Sequence, residues 1–170
     1  TALVISFWLG PRVIRMLREK QIGEAAKLEA PKTHLSKKGT PTMGGLIVLA
    51  SILIPTLLWG NIGNIYVVLI VFVTAALGAV GFLDDYLKVV KKKRKGLIGR
   101  YKIVGQVTVG CVVGAVIYFA PQWIDPDLWK YSSSTTVPFF KHLELDFGWL
   151  YIPMVIFVIT ATSNAVNLTD

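Results

Sequence analysis

IYVVLIVFVTAALGAVGFLDDYLKVVKKKRK, residues 65–95, decides how the rest of the chain is read. Its first nineteen residues, Ile65 to Leu83, are apolar or small without a break. At about 1.5 Å each they make roughly 28 Å of helix, enough to cross the hydrocarbon core of a bilayer. Asp84 and Asp85 close the run, and a dense basic run from Lys88 to Lys95 follows. Carboxylates at the C-terminal end of a helix oppose its dipole, by about 0.3–1 kcal/mol each. Positively charged anchors alone would hold such a span in place. The acid pair is therefore a candidate site for something cationic: a metal ion, a proton in transit or a nearby lysine.

Composition agrees with the membrane reading. The 170 residues are 54% hydrophobic and 16% charged, with a mean hydropathy of +0.59. A soluble domain has no core able to absorb so many long apolar runs. The expected fold is all-α, a polytopic membrane helical bundle in one membrane domain, with five transmembrane helices at about 1–14, 46–60, 65–83, 103–120 and 149–166. The first run is short and contains Gly10-Pro11, and it lacks the basic leader and cleavage site of a signal peptide. It reads as the end of a spanning helix whose beginning is missing. Cys111 is the lone cysteine, which excludes a disulfide or a cysteine metal site within the chain.

The net charge of +8 is distributed as topology, not as a nucleic-acid footprint. Eight of the 18 Lys and Arg lie between Arg12 and Lys38, and eight more between Lys88 and Lys102. By the positive-inside rule both of those loops are cytoplasmic and the chain starts outside. The segment Pro121–Gly148, with four acids against two lysines, is then external. Within it Thr135-Thr136-Val137 and Leu143-Glu144-Leu145 read as a short hairpin. A nucleic-acid surface needs basic residues free to dock on a polyanion, and here they are membrane anchors first, so no nucleic-acid partner is expected.

This topology brings three polar stretches to one membrane face. Span three ends at Asp84-Asp85, span five ends at Asn167-Leu168-Thr169-Asp170, and span two begins just after the stretch Lys37 to Gly45. Acids suited to a divalent cation, and Lys, Thr and Gly backbone suited to phosphate oxygens, converge there. Each has a plainer reading. The acid pair could be a solvated helix end paired with Lys88, Lys91 or Lys92. Lys37–Gly45 could be a turn followed by a close-packing Gly44-Gly45. Asn164, Asn167 and Asp170 could be a wetted helix terminus, and Thr160, Thr162 and Ser163 read as hydrogen-bond partners between helices.

Four motifs occur in order along the whole chain. They are Ser36-Lys37-Lys38-Gly39-Thr40-Pro41-Thr42-Met43-Gly44-Gly45, then Gly81-Phe82-Leu83-Asp84-Asp85-Tyr86. Val137-Pro138-Phe139-Phe140 and Asn164-Ala165-Val166-Asn167-Leu168-Thr169-Asp170 follow. Together they resemble the phospho-N-acetylmuramoyl-pentapeptide transferases, within the polyprenyl-phosphate N-acetylhexosamine-1-phosphate transferase superfamily. The resemblance implies an Mg²⁺-dependent reaction of UDP-N-acetylmuramoyl-pentapeptide with undecaprenyl phosphate. Its products are lipid I and UMP, and its setting is peptidoglycan synthesis at the cytoplasmic face of the bacterial inner membrane. It also implies roles. Asp84 deprotonates or orients the lipid phosphate, and Asp85 and Asp170 are catalytic carboxylates at the metal. Lys37, Thr42, Asn164 and Asn167 contact the nucleotide-linked donor, and Lys88 and Lys102 contact phosphate.

One departure is large. Members of that family carry further spans, a later metal-binding aspartate, an aromatic that packs on uracil and a histidine-rich motif, and this sequence has none of them. The chain therefore reads as the N-terminal half of such an enzyme, inactive alone, whose partners are the missing half, membrane lipid and a second copy in a homodimer. Two alternatives stay open: a sibling transferase using UDP-N-acetylglucosamine, and a non-catalytic membrane scaffold. Transport through this half is disfavoured, since spans two to five hold no Asp, Glu, Lys, Arg or His.

Overall fold

The computed structural model describes residues 1–21, 43–91, 96–120, 131–137, 139–140 and 143–169, and the side chains of 18–21 and 166–169 fall outside that description. Among the described residues five α-helices run in order: α1 (Ala2–Gln21), α2 (Gly45–Trp59), α3 (Ile65–Val89), α4 (Gly99–Phe119) and α5 (Tyr151–Thr169). Between α4 and α5 lie strands β1 (Ser134–Thr136) and β2 (Glu144–Asp146), then a turn of 3-10 helix at Gly148–Leu150. The all-α membrane class expected from the sequence is what forms. Among the described residues three stretches are long and apolar enough to cross a membrane: Ile65–Val89, Gly99–Phe119 and Gly148–Ala165. The helix Gly45–Trp59 is apolar but shorter. Phe7, Leu58, Ile70 and Phe157 all stay exposed, which hydrocarbon tolerates and water does not.

The chain divides into two compact units, Thr1–Gly60 with Gly78–Leu97, and Asn61–Leu77 with Ile98–Asp170, and α3 contributes to both. In the first unit α1 runs straight through Gly10-Pro11, past the expected end near residue 14. Pro11 removes one backbone donor, a loss a membrane helix can make good with side chains. Next to it, Arg12 Nη1 donates to the Trp8 carbonyl at 2.7 Å, and its guanidinium stacks 4.3 Å over the Trp8 ring. Helix α1 meets α2 through Ser6 Oγ, which donates to Ser51 Oγ at 2.8 Å. Gly78 lies against Leu49, where a Cβ would come within 2.7 Å of both leucine methyls.

In the second unit Asn64 caps α3. Its Oδ1 accepts from the Tyr66 amide at 2.9 Å, satisfying one of the orphan donors at a helix start. The core gathers Leu69, Val109 and Val113, with Val73, Val155 and Ile159 packed against them. The buried face of α4 is Gln106, Val109, Gly110, Val113 and Gly114, a helical repeat of three and four. Its two glycines let α5 approach closely: a Cβ on Gly110 would lie 2.8 Å from Ile156 Cα, and one on Gly114 3.2 Å from Ile152 Cα. The hairpin is antiparallel, with Ser134 opposite Asp146 and Thr136 opposite Glu144. That matches the hairpin read from Thr135-Thr136-Val137 and Leu143-Glu144-Leu145 in the sequence. Asp146 anchors its base by accepting from Ser133 Oγ at 2.7 Å and from the Gly148 amide at 2.9 Å.

Candidate functional site

Asp84 is not the solvated helix end that the apolar run implies. Helix α3 continues to Val89, so the carboxylate sits inside the last two turns and is buried, with 7% of the residue exposed. Two groups offset the burial and the unfavourable dipole. Lys88, one turn on, donates from Nζ to Asp84 Oδ2 at 2.7 Å, with the acid N-terminal to the base as an i,i+4 pair prefers. The Leu97 amide donates to Asp84 Oδ1 at 2.8 Å. Gly96 makes that reach possible, because its φ of +58° turns the chain back onto the helix. A Cβ there would collide with Asp84 Oδ1 and approach Lys88 Cε to 2.6 Å. The carboxylate is thus a clamp: it fixes Lys88 and holds the Leu97 amide against α3.

Asp85 is half-buried beside it and engaged in an interaction of its own. Each Asp84 oxygen accepts one hydrogen bond, from Lys88 Nζ and from the Leu97 amide, so the carboxylate is held in a fixed orientation. Among the described residues no group of three His, Cys, Asp or Glu converges to hold an ion. The carboxylate chemistry suits a hard divalent cation, but the described residues alone do not complete such a site. Lys37, Thr42 and Asp170 lie outside the described residues, as does the side chain of Asn167, whose backbone belongs to α5.

A second constellation stands in the other unit, between α4 and α5. Gln106 is buried, with 6% exposed, inside an otherwise apolar span. Its Nε2 donates to Ser163 Oγ at 3.0 Å. Its Oε1 accepts from Asn164 Nδ2 at 2.7 Å, and the same Nδ2 donates to the Thr160 carbonyl at 2.8 Å. Ser163 is therefore an interhelical partner, as expected. Thr162 is not, since its hydroxyl donates to the Val158 carbonyl of its own helix at 2.7 Å. Thr160 Oγ1 is buried without a partner among the described residues. Lys102 lies in the first turn of α4, half-buried and engaged. The structure thus brings Asp84 to Lys88 and Asn164 to Gln106, a residue that the sequence reading did not select. The available signal was its place four residues before Gly110 and eight before Gly114, a polar side chain on the close-packing stripe.

The family model described as Glycosyl transferase family 4 matches residues 65–170, well over half of the chain, and spans both constellations. The chain belongs to glycosyl transferase family 4. Residues 37–49 also match the Phospho-N-acetylmuramoyl-pentapeptide-transferase signature 1. Among curated relatives, a Phospho-N-acetylmuramoyl-pentapeptide-transferase of Chloroherpeton thalassium is 49% identical over 170 residues, which is 100% of this chain and 45% of the relative. Its namesake in Pelodictyon phaeoclathratiforme is 50% identical over the same coverage. The one in Gemmatimonas aurantiaca is 47% identical over 179 residues, 46% of its length. The chain spans about half the length of the curated relatives it matches. With its three long apolar helices, this family 4 chain is a multi-pass membrane protein.

Proposed function

We propose that this chain forms the N-terminal part of a phosphoglycosyl transferase that moves phospho-N-acetylmuramoyl-pentapeptide from UDP to undecaprenyl phosphate, giving lipid I and UMP. The observation that carries the reading is the identity of about half over the whole chain to transferases of that name. The signature at 37–49 favours the muramoyl branch over a UDP-N-acetylglucosamine sibling. A transferase name across every part of the chain also weighs against a pure scaffold.

Two phosphate-bearing substrates repel each other, so the site has to screen charge and fix geometry more than it has to supply covalent chemistry. Lys88, held on Asp84, is positioned to meet a phosphate oxygen at the membrane surface, and Asp84 acts by orienting that lysine. This refines the choice between deprotonating and orienting: a phosphate monoester is already largely ionised near neutral pH and needs little from a base. Lys37, Thr42, Asn164 and Asn167 serve the nucleotide-linked donor, and Lys102 a phosphate. Asp85 and Asp170 would hold Mg²⁺, which supplies further charge neutralisation. The proposal puts this face in the cytoplasm of a bacterial inner membrane with Thr1 outside, a reading supported by the basic residues at 12–38 and 88–102 under the positive-inside rule. A homodimer and a C-terminal half completing the site belong to the same reading, which makes the chain inactive by itself.

The test is UMP release by the complete protein, with Mg²⁺ and undecaprenyl phosphate, from the muramoyl-pentapeptide and N-acetylglucosamine UDP donors in parallel. Release from the muramoyl donor alone, abolished in Asp85→Asn, is the expected result. Release from the other donor moves the chain to the sibling branch, and release from neither by folded protein ends the transferase reading.

A further inference from the structure

The amide of Asn164 has a polarity that its surroundings dictate. The Thr160 carbonyl can only accept, so the atom facing it at 2.8 Å has to be Nδ2. The second Nδ2 proton goes to Gln106 Oε1 at 2.7 Å. Gln106 is oriented in turn by the Ser163 hydroxyl at its Nε2. Both donor positions of Asn164 are then used, and its Oδ1, which has no partner among the described residues, is the atom left over. A residue that can swing an amide either way has become an acceptor of fixed orientation.

Register locates that acceptor. Gly110 faces Ile156 and Gly114 faces Ile152. Continuing the antiparallel register by two turns puts Lys102 at the level of Asn164. A cation suited to a phosphate oxygen and an acceptor unsuited to one therefore stand at the same height of the α4–α5 pair.

We propose that Gln106 is a positioning residue that locks Asn164, and that Asn164 offers its oxygen to a hydrogen-bond donor of the nucleotide-sugar substrate, a hydroxyl or an N–H, and not to a phosphate. The proposal rests on the transferase reading above. A phosphate oxygen carries no proton at neutral pH and would meet Oδ1 as a second acceptor, which is repulsive. Asn164 then contributes to recognition of the nucleoside or sugar, leaving the diphosphate to lysines. Without Gln106 the amide keeps only the Thr160 carbonyl and regains freedom to turn.

The experiment uses the complete protein in detergent and measures kcat and KM for the UDP donor and for the lipid. Gln106→Met removes both hydrogen bonds at similar volume, and Gln106→Glu keeps the Oε1 acceptor. Gln106→Met is expected to raise the donor KM roughly three- to tenfold, the worth of one ordinary hydrogen bond, with kcat and the lipid KM nearly unchanged. Gln106→Glu is expected to restore most of the loss. Donor analogues with one group masked, 2′-deoxyuridine and 3-methyluracil among them, identify the partner: the penalty for masking it, present in the wild type, vanishes in Asn164→Leu. If Gln106→Met does not fold, as judged by its tryptophan-fluorescence melt, the analogue comparison decides alone. An active wild type in which Gln106→Met leaves the donor KM unchanged, or in which every analogue penalty survives Asn164→Leu, overturns the proposal. A wild type with no turnover removes the transferase reading itself and the proposal with it, a failure told apart by that first measurement.

Discussion

Replacing Gly96 by alanine tests the Asp84 clamp most directly. At φ +58° an alanine sits in the left-handed region, which costs about 1–2 kcal/mol for a residue with a Cβ. The added methyl also has nowhere to go, since it would meet Asp84 Oδ1 and Lys88 Cε, and one of these has to move. Moving the carboxylate breaks its bond to the Leu97 amide, and a hydrogen bond to a charged group is worth about 1.5–3 kcal/mol. The two effects together come to about 2.5–5 kcal/mol against the Asp84–Leu97 contact. That is local opening, not global unfolding, so hydrogen exchange is the assay. The Leu97 amide, followed in a peptide covering residues 96–98, should exchange at least about sixtyfold faster in Gly96→Ala. Gly99→Ala is the control, because its Cβ would meet nothing within 4 Å; it should leave exchange unchanged. Unaltered protection of Leu97 in Gly96→Ala would show that Asp84 does not hold this segment, and the clamp would have to be abandoned.

Three further outcomes are expected. Lys88→Ala should lower the melting temperature, since it leaves the 10%-exposed Asp84 carboxylate with one fewer charge-assisted hydrogen bond, a loss of about 1–3 kcal/mol. The same variant should lose most UMP release in the complete protein, and equal small losses of both would refute its phosphate role. Gly110→Ala should destabilise by about 1–3 kcal/mol, because the new methyl would press on the Ile156 backbone, which cannot swing aside; a thermal-unfolding series with Gly10→Ala, where space is open, checks it. Asp146 is held below its ordinary value of 3.8, first by the Ser133 hydroxyl and then by the Gly148 amide. A depressed carboxylate stabilises above its unfolded pKa, and that stability is lost as pH falls through the folded one. Exchange at the Gly148 amide should therefore accelerate only below the ordinary value, and Ser133→Ala should move that acceleration to higher pH.

Much of this fold was legible because hydrophobic length is a property of the chain itself. Ile65 to Leu83 could be nothing but a long buried or membrane helix, and the β-branched Thr135-Thr136-Val137 with the alternating Leu143-Glu144-Leu145 carried the hairpin. The passage of α1 through Gly10-Pro11 was not legible, because two helix-breaking residues argue locally for an end that the packing of α1 on α2 overrides. The pairing of Asp84 with Lys88 was open to view as an i,i+4 spacing. Its other partner was hidden, since a backbone amide thirteen residues away has no letter in the sequence. Gln106 was passed over for a related reason: one amide in an apolar run has meaning only once the register of α4 on α5 sets Ser163 and Asn164 against it.

The Asp84 contact stands beside a concentration of like charge. The sequence places five consecutive cations, Lys91, Lys92, Lys93, Arg94 and Lys95, directly before Gly96 and Leu97. Lys88, fixed on Asp84 and 42% exposed, belongs to the same positive field. That field draws anionic headgroups and phosphate-bearing molecules toward Lys88 before any contact forms. Its reach is the screening length, about 8 Å at physiological ionic strength, and it shrinks as salt rises. Capture of an anionic ligand at Lys88 is consequently a salt-dependent step, fastest in dilute buffer.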